Sequence, residues 1–469
     1  MGMSDERIAM VFAEVERVSE PHTEDSEFIE VVTLPRAQVA EFLSTNKAPL
    51  SIRAQLVLET LTIKPFTQAT FDGALNEHSR SLGAQGSAFR ELFSYGLARK
   101  AEIGADAVFD FSLGNPSVAA PDEVKEAVLD LIEEDPAVLH GYTPAQGDVK
   151  VREAIAESLN RRFQEDYHAQ DLYMTVGAAA SINISIHAVC NPGDEVVVVA
   201  PYFPEYRMWI ESADCTCVEC LADSATFQVD PEALRQSITA RTKAVIINSP
   251  NNPVGVVYSQ ETLEAVAEVL RTAEKQFGHA LYLIADEPYR ELVFGGAKVP
   301  WIPALYHNTL VCYSWSKSLS LPGERIGYVL VPPAVDRSRD IYAAVCGAGR
   351  ALGFVCAPAL FQKVAARCVD VPANIAAYAR NRDALCQGLS QLGYEYIEPQ
   401  GAFYLWVKAL EPDAQKFSDA AKAHELLLVP SNSFGVTGWV RIGYCVSEET
   451  IKNSMAAFAA LKSEYDAQA

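Results

Sequence analysis

Residues 313–328 read YSWSKSLSLPGERIGY, and the reading of this stretch decides the fold. The apolar run LVCYSWSK predicts a β-strand whose end delivers Ser314, Ser316 and Lys317 together, with Arg325 eight residues beyond the lysine. A lysine at a strand end is badly placed for solubility alone. An amine that must attack an aldehyde has to be held rigidly and partly deprotonated, which burial and neighbouring cations achieve. Two hydroxyls and an arginine beside it suit a phosphate. Taken alone, S-x-S-K also describes a surface lysine in a Ser-rich loop, so the choice rests on what surrounds it.

Working outward, short β-rich runs alternate with helical patterns from about residue 108. VFDFSLG, DLYMTVG, EVVVVAP, AVIINSP and LYLIADEP predict strands. DEVKEAVLDLIEE, VREAIAESLNRRF and ETLEAVAEVLRTAEKQF carry apolar residues at three- and four-residue spacing and predict helices. This rhythm is that of an α/β protein with a largely parallel sheet. Several strands end in Gly, Pro, Ser or Asp, where open sheets place their ligand-binding loops. After about residue 350 the pattern becomes Ala-rich helices followed by the strands GAFYLWVK and GWVRIGYC, which predicts a smaller α+β domain.

The other strand ends hold further candidates. In IADEPYREL, Asp286 ends an apolar strand and Tyr289 follows. A strand-end aspartate is often only a helix cap. A lysine Schiff base, however, needs a carboxylate to keep the pyridine nitrogen of its cofactor protonated so that the ring accepts electrons. In INSPNNPVG, Asn252 sits in a Pro-bounded turn from which its amide can donate to a ring hydroxyl, although NNP by itself is simply a turn. DLYMTVGAAASINISI is a strand, a glycine and a helix start. The amides of Gly177, Ala178 and Ala179 can form an anion site there, or merely serve strand-to-helix packing. Tyr202 in VVVVAPYFPEY can stack on a flat ring or belong to the core.

In this order these residues resemble the class I/II aminotransferases, which are fold-type I pyridoxal-phosphate-dependent enzymes. The resemblance covers roughly residues 86–462. It implies a mostly parallel seven-stranded sheet with flanking helices, plus a smaller α+β domain. The expected division is an N-terminal extension over 1–85, a core segment over 86–120 that contributes to the small domain, a large cofactor-binding domain over 121–350 and a C-terminal small domain over 351–469. By resemblance, Lys317 carries pyridoxal 5'-phosphate as a Schiff base and Asp286 pairs with its pyridine nitrogen. Asn252 and Tyr289 bond its phenolic oxygen, and Tyr202 stacks on its ring. Ser314, Ser316, Arg325 and the Gly177–Ala179 turn hold its phosphate. Tyr142 in HGYTPAQGDVKVREAI matches a tyrosine lent to the phosphate across a homodimer interface. Arg441 in WVRIGYC matches the arginine that clamps the substrate α-carboxylate, and Gly114 in FSLGNPSVAAP matches a glycine beside that carboxylate. Asn252 also counts among the substrate-binding residues. Catalysis is expected from Lys317, Asp286 and Tyr289, with no metal.

The implied activity moves the amino group of an L-amino acid to a 2-oxo acid by a ping-pong mechanism. A β-lyase or another amino-acid lyase on the same scaffold is the alternative, because the cofactor stabilises the carbanion whichever bond breaks. A catalytically silent cofactor-binding regulator is a third reading. The first 85 residues show no helix-turn-helix or basic stripe that would favour it. They contain an acidic amphipathic helix with Ile8, Val11, Phe12 and Val15 on one face, a strand FIEVVTLP, and two helical stretches broken by Pro49 and Pro65. One departure from the family concerns the phosphate turn: GAAA offers only backbone amides where many relatives carry a hydroxyl or an acid, which shifts the load to Ser314, Ser316 and Arg325.

Composition excludes several other classes. With 49% hydrophobic and 21% charged residues, the chain of 469 has ample material for two or three cores and is not disordered. Its formal net charge of -23 repels nucleic acids and anionic lipid surfaces. No run approaches the roughly 18 apolar residues of a membrane span, and MGMSDERIAM lacks a signal pattern, so the cytoplasm is the expected compartment. Most of the ten cysteines are scattered singly in apolar stretches and read as buried thiols. Cys215, Cys217 and Cys220 lie together but lack a fourth ligand for zinc, and a strand explains their spacing.

Overall fold

The computed structural model describes residues 76–84 and 88–467. The expected helix at RIAMVFAEVERV, the strand FIEVVTLP and the helical stretches around Pro49 and Pro65 lie outside the described residues. The chain forms two compact units, Met1–Ala84 and Gln85–Ala469. In the first, the described residues contain the helix Glu77–Ala84.

In the second, the strands in chain order are β1 (Phe109–Asp110), β2 (Leu172–Thr175), β3 (Glu195–Ala200), β4 (Thr216–Leu221), β5 (Thr242–Asn248), β6 (Tyr282–Asp286), β7 (Thr309–Ser314), β8 (Gly327–Leu330), β9 (Tyr396–Ile397), β10 (Tyr404–Lys408), β11 (Leu426–Leu427), β12 (Val429–Pro430) and β13 (Trp439–Gly443). Seven of them form the large sheet in the order β2-β8-β7-β6-β5-β3-β4. All neighbours run parallel except β8, which is antiparallel to both β2 and β7. β3 shows why these segments are strands: Val196 to Val199 are β-branched and buried on both faces, as a sheet clad by helices requires.

The helices follow their sequence signals. Gln260–Phe277 starts at Ser259, whose hydroxyl caps the amide of Thr262, and ends at Gly278 in the left-handed conformation. Its face of Leu263, Val266, Ala267, Leu270 and Ala273 is buried against the sheet core, and each buried leucine contributes about 2 kcal/mol. The predicted helices over 122–134 and 151–163 are found as Asp122–Ile132 and Val149–Phe163.

Register brings the chemistry to one level. Asn248 pairs with Asp286, and Asp286 with Cys312, so the carboxyl ends of β5, β6 and β7 align. The stretch 313–328 is the connection that turns the chain back from β7 into antiparallel β8, closed by the pairing of Ser314 with Gly327. β8 was not foreseen, because four residues leave too little periodicity to separate a strand from the loop before it.

The smaller sheet, β12-β13-β10-β9, is antiparallel. The run VFDFSLG, in the segment expected to contribute to the small domain, stays out of the large sheet. Only Phe109–Asp110 is strand, and it pairs in parallel with Leu426–Leu427. Phe111 is packed among Tyr378, Leu385, Phe403 and Phe458, so the early segment and the last part of the chain share one core.

Candidate active site

A cleft of about 420 Å³ opens at the carboxyl ends of β5, β6 and β7. Lys317, half-buried just beyond β7, donates from Nζ to the carbonyl of Gly114 at 2.6 Å and lies 5.3 Å from the ring centre of Phe403. Burial lowers its pKa to about 8; the guanidiniums of Arg441 and Arg325 push the same way, and buried Cys445 opposes them. Ser314 and Ser316 are buried beside it. Arg325 reaches the same wall, with Nη1 donating to the carbonyl of Pro322 at 3.1 Å and lying 3.4 Å from the Ser316 hydroxyl. Its backbone is left-handed at φ 50°, a conformation that costs a bulky residue energy and marks a constrained site.

Facing Arg325 is Gly177, at φ 96°, which begins the helix Ala178–Val189. A Cβ at position 177 would stand 2.6 Å from Arg325 Nη2, so only glycine admits the guanidinium against the backbone. No side chain caps this helix start, and Ala178 and Ala179 line the cleft. The amides of the first turn are therefore available to an anion.

Asp286 ends β6 deep in the same cleft at 6% exposure. The hydroxyl of Tyr206 donates to its Oδ2, and Asn248 Nδ2 donates to its main-chain carbonyl at 2.8 Å. Oδ1 is buried and has no hydrogen-bond partner. Burial raises the carboxyl pKa to about 7; the Tyr206 hydrogen bond pulls it down and Glu287 pushes it further up.

On the opposite wall Arg441 is 2% exposed. Nη1 donates to Asn252 Oδ1 at 3.0 Å and Nη2 to the Ser112 carbonyl at 2.6 Å. Accepting from Arg441 leaves the amide of Asn252 as its donor end. The guanidinium carbon lies 4.4 Å from the ring centre of Tyr404 and 5.5 Å from that of Phe434. The hydroxyls of Tyr289 and Tyr404 are 3.0 Å apart. Gly114 joins this wall, where any Cβ would overlap the Tyr404 hydroxyl.

Two expected site residues lie elsewhere. The hydroxyl of Tyr202 donates to Glu219 at 2.7 Å and accepts from Arg207 at 3.2 Å, in the core outside the cleft lining. Adjacent residues in an extended stretch point to opposite sides, and the ring that faces the cleft is Phe203, beside Trp209. Tyr142 is 98% exposed and outside this cleft, on a surface that also exposes Val138 and Val149. Among the residues that escaped the sequence reading are Asn248 and Tyr404 of the cleft lining and Tyr206, which bonds Asp286. Tyr206 stands four residues past Tyr202 in the same motif, Asn248 ends β5, and Tyr404 lies in a run read only as a strand. Away from the cleft, Cys215 precedes β4, and Cys217 and Cys220 lie on it. At the other end of the strands, Glu274, His307 and Asp336 place three donor atoms within 4.8 Å of one another. Both of these carboxylates accept from Asn308 Nδ2.

A family model described as aminotransferase class I and II matches residues 106–458. The chain belongs to this family. A probable aspartate/prephenate aminotransferase of Thermus aquaticus is 32% identical over 351 residues, covering 74% of this chain and 89% of the relative. Among solved structures, an amino transferase from Eubacterium rectale is 51% identical with a TM-score of 0.82, covering 84% of this chain and 99% of that one. The aspartate aminotransferase of Thermus thermophilus with maleate is 27% identical with a TM-score of 0.73, covering 82% and 98%.

This aminotransferase uses pyridoxal 5'-phosphate and acts on amino acids and 2-oxo acids. The cleft fits that cofactor. The orphaned Oδ1 of Asp286 calls for a cationic donor such as a protonated pyridine nitrogen, and the uncapped helix start with Arg325 calls for a phosphate. Lys317 lines the same cleft with a lowered pKa, as an amine that attacks an aldehyde must.

Proposed function

We propose that this cleft transfers the amino group of an L-amino acid to a 2-oxo acid in two half-reactions, and that Lys317 is both the cofactor's attachment point and the proton carrier. When bound, the cofactor supplies an aldehyde that takes up the amino group and a ring that accepts the electron pair left on the substrate α-carbon. Asp286 keeps a proton on the ring nitrogen through Oδ1, with Tyr206 holding its other oxygen. Asn252 and Tyr289 donate to the phenolic oxygen. Ser314, Ser316, Arg325 and the amides of Gly177, Ala178 and Ala179 hold the phosphate. Phe203 takes the ring-facing place first given to Tyr202. Arg441 grips the substrate α-carboxylate with a planar pair of N–H groups, next to the backbone of Gly114. Nζ of Lys317, neutral above about pH 8, takes the α-proton and returns it on the cofactor side. The observation that carries the reading is a buried carboxylate oxygen without a partner in the same cleft as a lysine of lowered pKa. A panel of amino donors, each with and without an added 2-oxo acid, tests it. Product that forms continuously without an acceptor would instead mean elimination.

The same proposal makes the enzyme a homodimer with shared sites, Tyr142 reaching the phosphate of the second copy. Its 98% exposure supports this, since a ring so fully exposed has no role in its own cleft. Mixing the inactive variants Lys317→Ala and Tyr142→Phe should form hybrids with one undamaged site and recover activity. Assembled hybrids no more active than Tyr142→Phe would refute the sharing. We further place residues 86–120 with 351–469 in the small domain, 121–350 in the large one, and 1–85 outside the chemistry. The pairing of β1 with β11 supports the first of these assignments. The cytoplasm is the compartment taken for the enzyme; it fits ten cysteines that are all free thiols. Among the described residues no helix is long and apolar enough to cross a membrane.

A further inference from the structure

Arg441 and Tyr289 were assigned to different molecules, the first to the substrate and the second to the cofactor, yet one side chain touches both. Tyr404 opens β10 opposite Gly443, and Arg441 lies opposite Trp406 on the same pair of strands. Opposed residues in an antiparallel pair share a face, so Tyr404 and Arg441 project to the same side, one diagonal step apart. Gly443 leaves the place facing Tyr404 empty of side chain. A Cβ there would stand 2.6 Å from the Leu113 carbonyl, so the glycine is what lets the segment Phe111–Leu113 cross this face. That segment supplies the Ser112 carbonyl to Arg441 Nη2. The guanidinium is thereby laid over the Tyr404 ring, 4.4 Å from its centre, while the phenol hydroxyl reaches Tyr289 at 3.0 Å and abuts Gly114.

We infer that Tyr404 is a positioning residue that couples the α-carboxylate clamp to the cofactor side: its ring sets the plane of Arg441 and its hydroxyl donates to Tyr289, leaving the Tyr289 hydrogen for the phenolic oxygen. The inference rests on the aminotransferase site proposed above. Either hydroxyl can donate across the 3.0 Å contact, and only when Tyr404 donates is the Tyr289 hydrogen free for the phenolic oxygen. Burial of both rings keeps water from replacing either partner.

The test uses the full-length holoenzyme and separates ring from hydroxyl. Tyr404→Phe keeps the stack. It should leave KM for the amino donor within about twofold, lower kcat about three- to tenfold, and raise by about 0.5 unit the pH at which the absorption band of the Lys317-bound cofactor changes, the size expected for one lost hydrogen bond. Tyr404→Leu removes the stack as well and should raise KM about tenfold further. In a Tyr289→Phe background, adding Tyr404→Phe should move the band no more, because the route through Tyr289 is already cut. A purely structural tyrosine would lower melting temperature or cofactor content without moving the pH of the band. A Phe variant with wild-type band and kcat, or Phe and Leu variants with the same KM, would overturn the inference. The site reading is judged separately: if the band persists in Lys317→Ala, that reading fails, whatever the Tyr404 variants do.

Discussion

Asp286 and Arg441 are both buried ionisable groups of one cleft, yet they are held in opposite ways. Arg441 already has carbonyl and amide acceptors at 2.6 and 3.0 Å and two aromatic rings against it. Asp286 keeps one oxygen without a partner, and its pKa is raised to about 7. On the proposed roles, the substrate clamp is thus oriented by the fold itself, ready for a ligand that comes and goes, whereas the wall proposed for the cofactor is electrostatically complete only when a cation sits on Asp286. A resident group can be part of that completion, whereas a transient substrate cannot.

The largest expected effect falls on the lysine that lines the same cleft. Lys317→Ala should reduce turnover by about 10⁴-fold or more and abolish the visible band, while some cofactor stays bound through the phosphate site. Retained steady-state transamination would remove the reason for contrasting the walls at all.

Asp286→Asn comes next. It should leave the cofactor bound but slow proton transfer in a single turnover by about 10²–10⁴-fold, because a neutral partner cannot keep the ring nitrogen protonated. It also carries a pH signature in cofactor-free protein. A carboxyl raised to about 7 in the fold is charged earlier in the unfolded chain, so wild-type stability falls as pH rises from about 4 to about 7. The Asn variant lacks this loss, and its relative stability should grow over that window by on the order of 4 kcal/mol at most. Parallel melting curves across the window would mean that the carboxylate is satisfied after all.

Arg441→Lys tests the other wall. KM for the amino donor should rise on the order of 100-fold, since a point charge cannot reproduce the planar pair, while the cofactor band stays unchanged. A variant that instead loses the cofactor would erase the division of labour between the walls. The smallest effect is expected from the N-terminal extension. A chain beginning at Ser81 should bind cofactor and keep its half-reaction rate within about twofold, perturbing at most solubility or melting temperature, because every residue given a role in the cleft lies at or beyond Ser112. If it folds and dimerises but reacts with no donor, the N-terminal extension belongs to the site.

How much of this site was legible depended on the kind of residue. Lys317 and Asp286 could be picked out because their chemistry admits few residue types and an ionisable group at the end of an apolar strand is conspicuous, whereas Arg441, inside β13, was named through the family resemblance. Tyr206 and Tyr404 could not, since a tyrosine in an apolar run reads as core and both are in fact buried. Tyr202 was named as an aromatic face after a strand, and Phe203 beside it offers the same kind of face. Arg207 and Glu219, on the helix Glu205–Ser212 and on β4, claim the Tyr202 hydroxyl.

From sequence alone came the α/β class, the order of strand and helix, and the polar groups set at strand ends, because period, capping and residue chemistry act over a few neighbours. Which of two adjacent rings faces the cleft, that β8 runs against its neighbours, that Phe109–Asp110 pairs with Leu426–Leu427, and that one phenol touches both Arg441 and Tyr289 were decided only in three dimensions. Each depends on contacts between segments far apart in the chain, whose register is set by packing and shared hydrogen bonds rather than by any local preference.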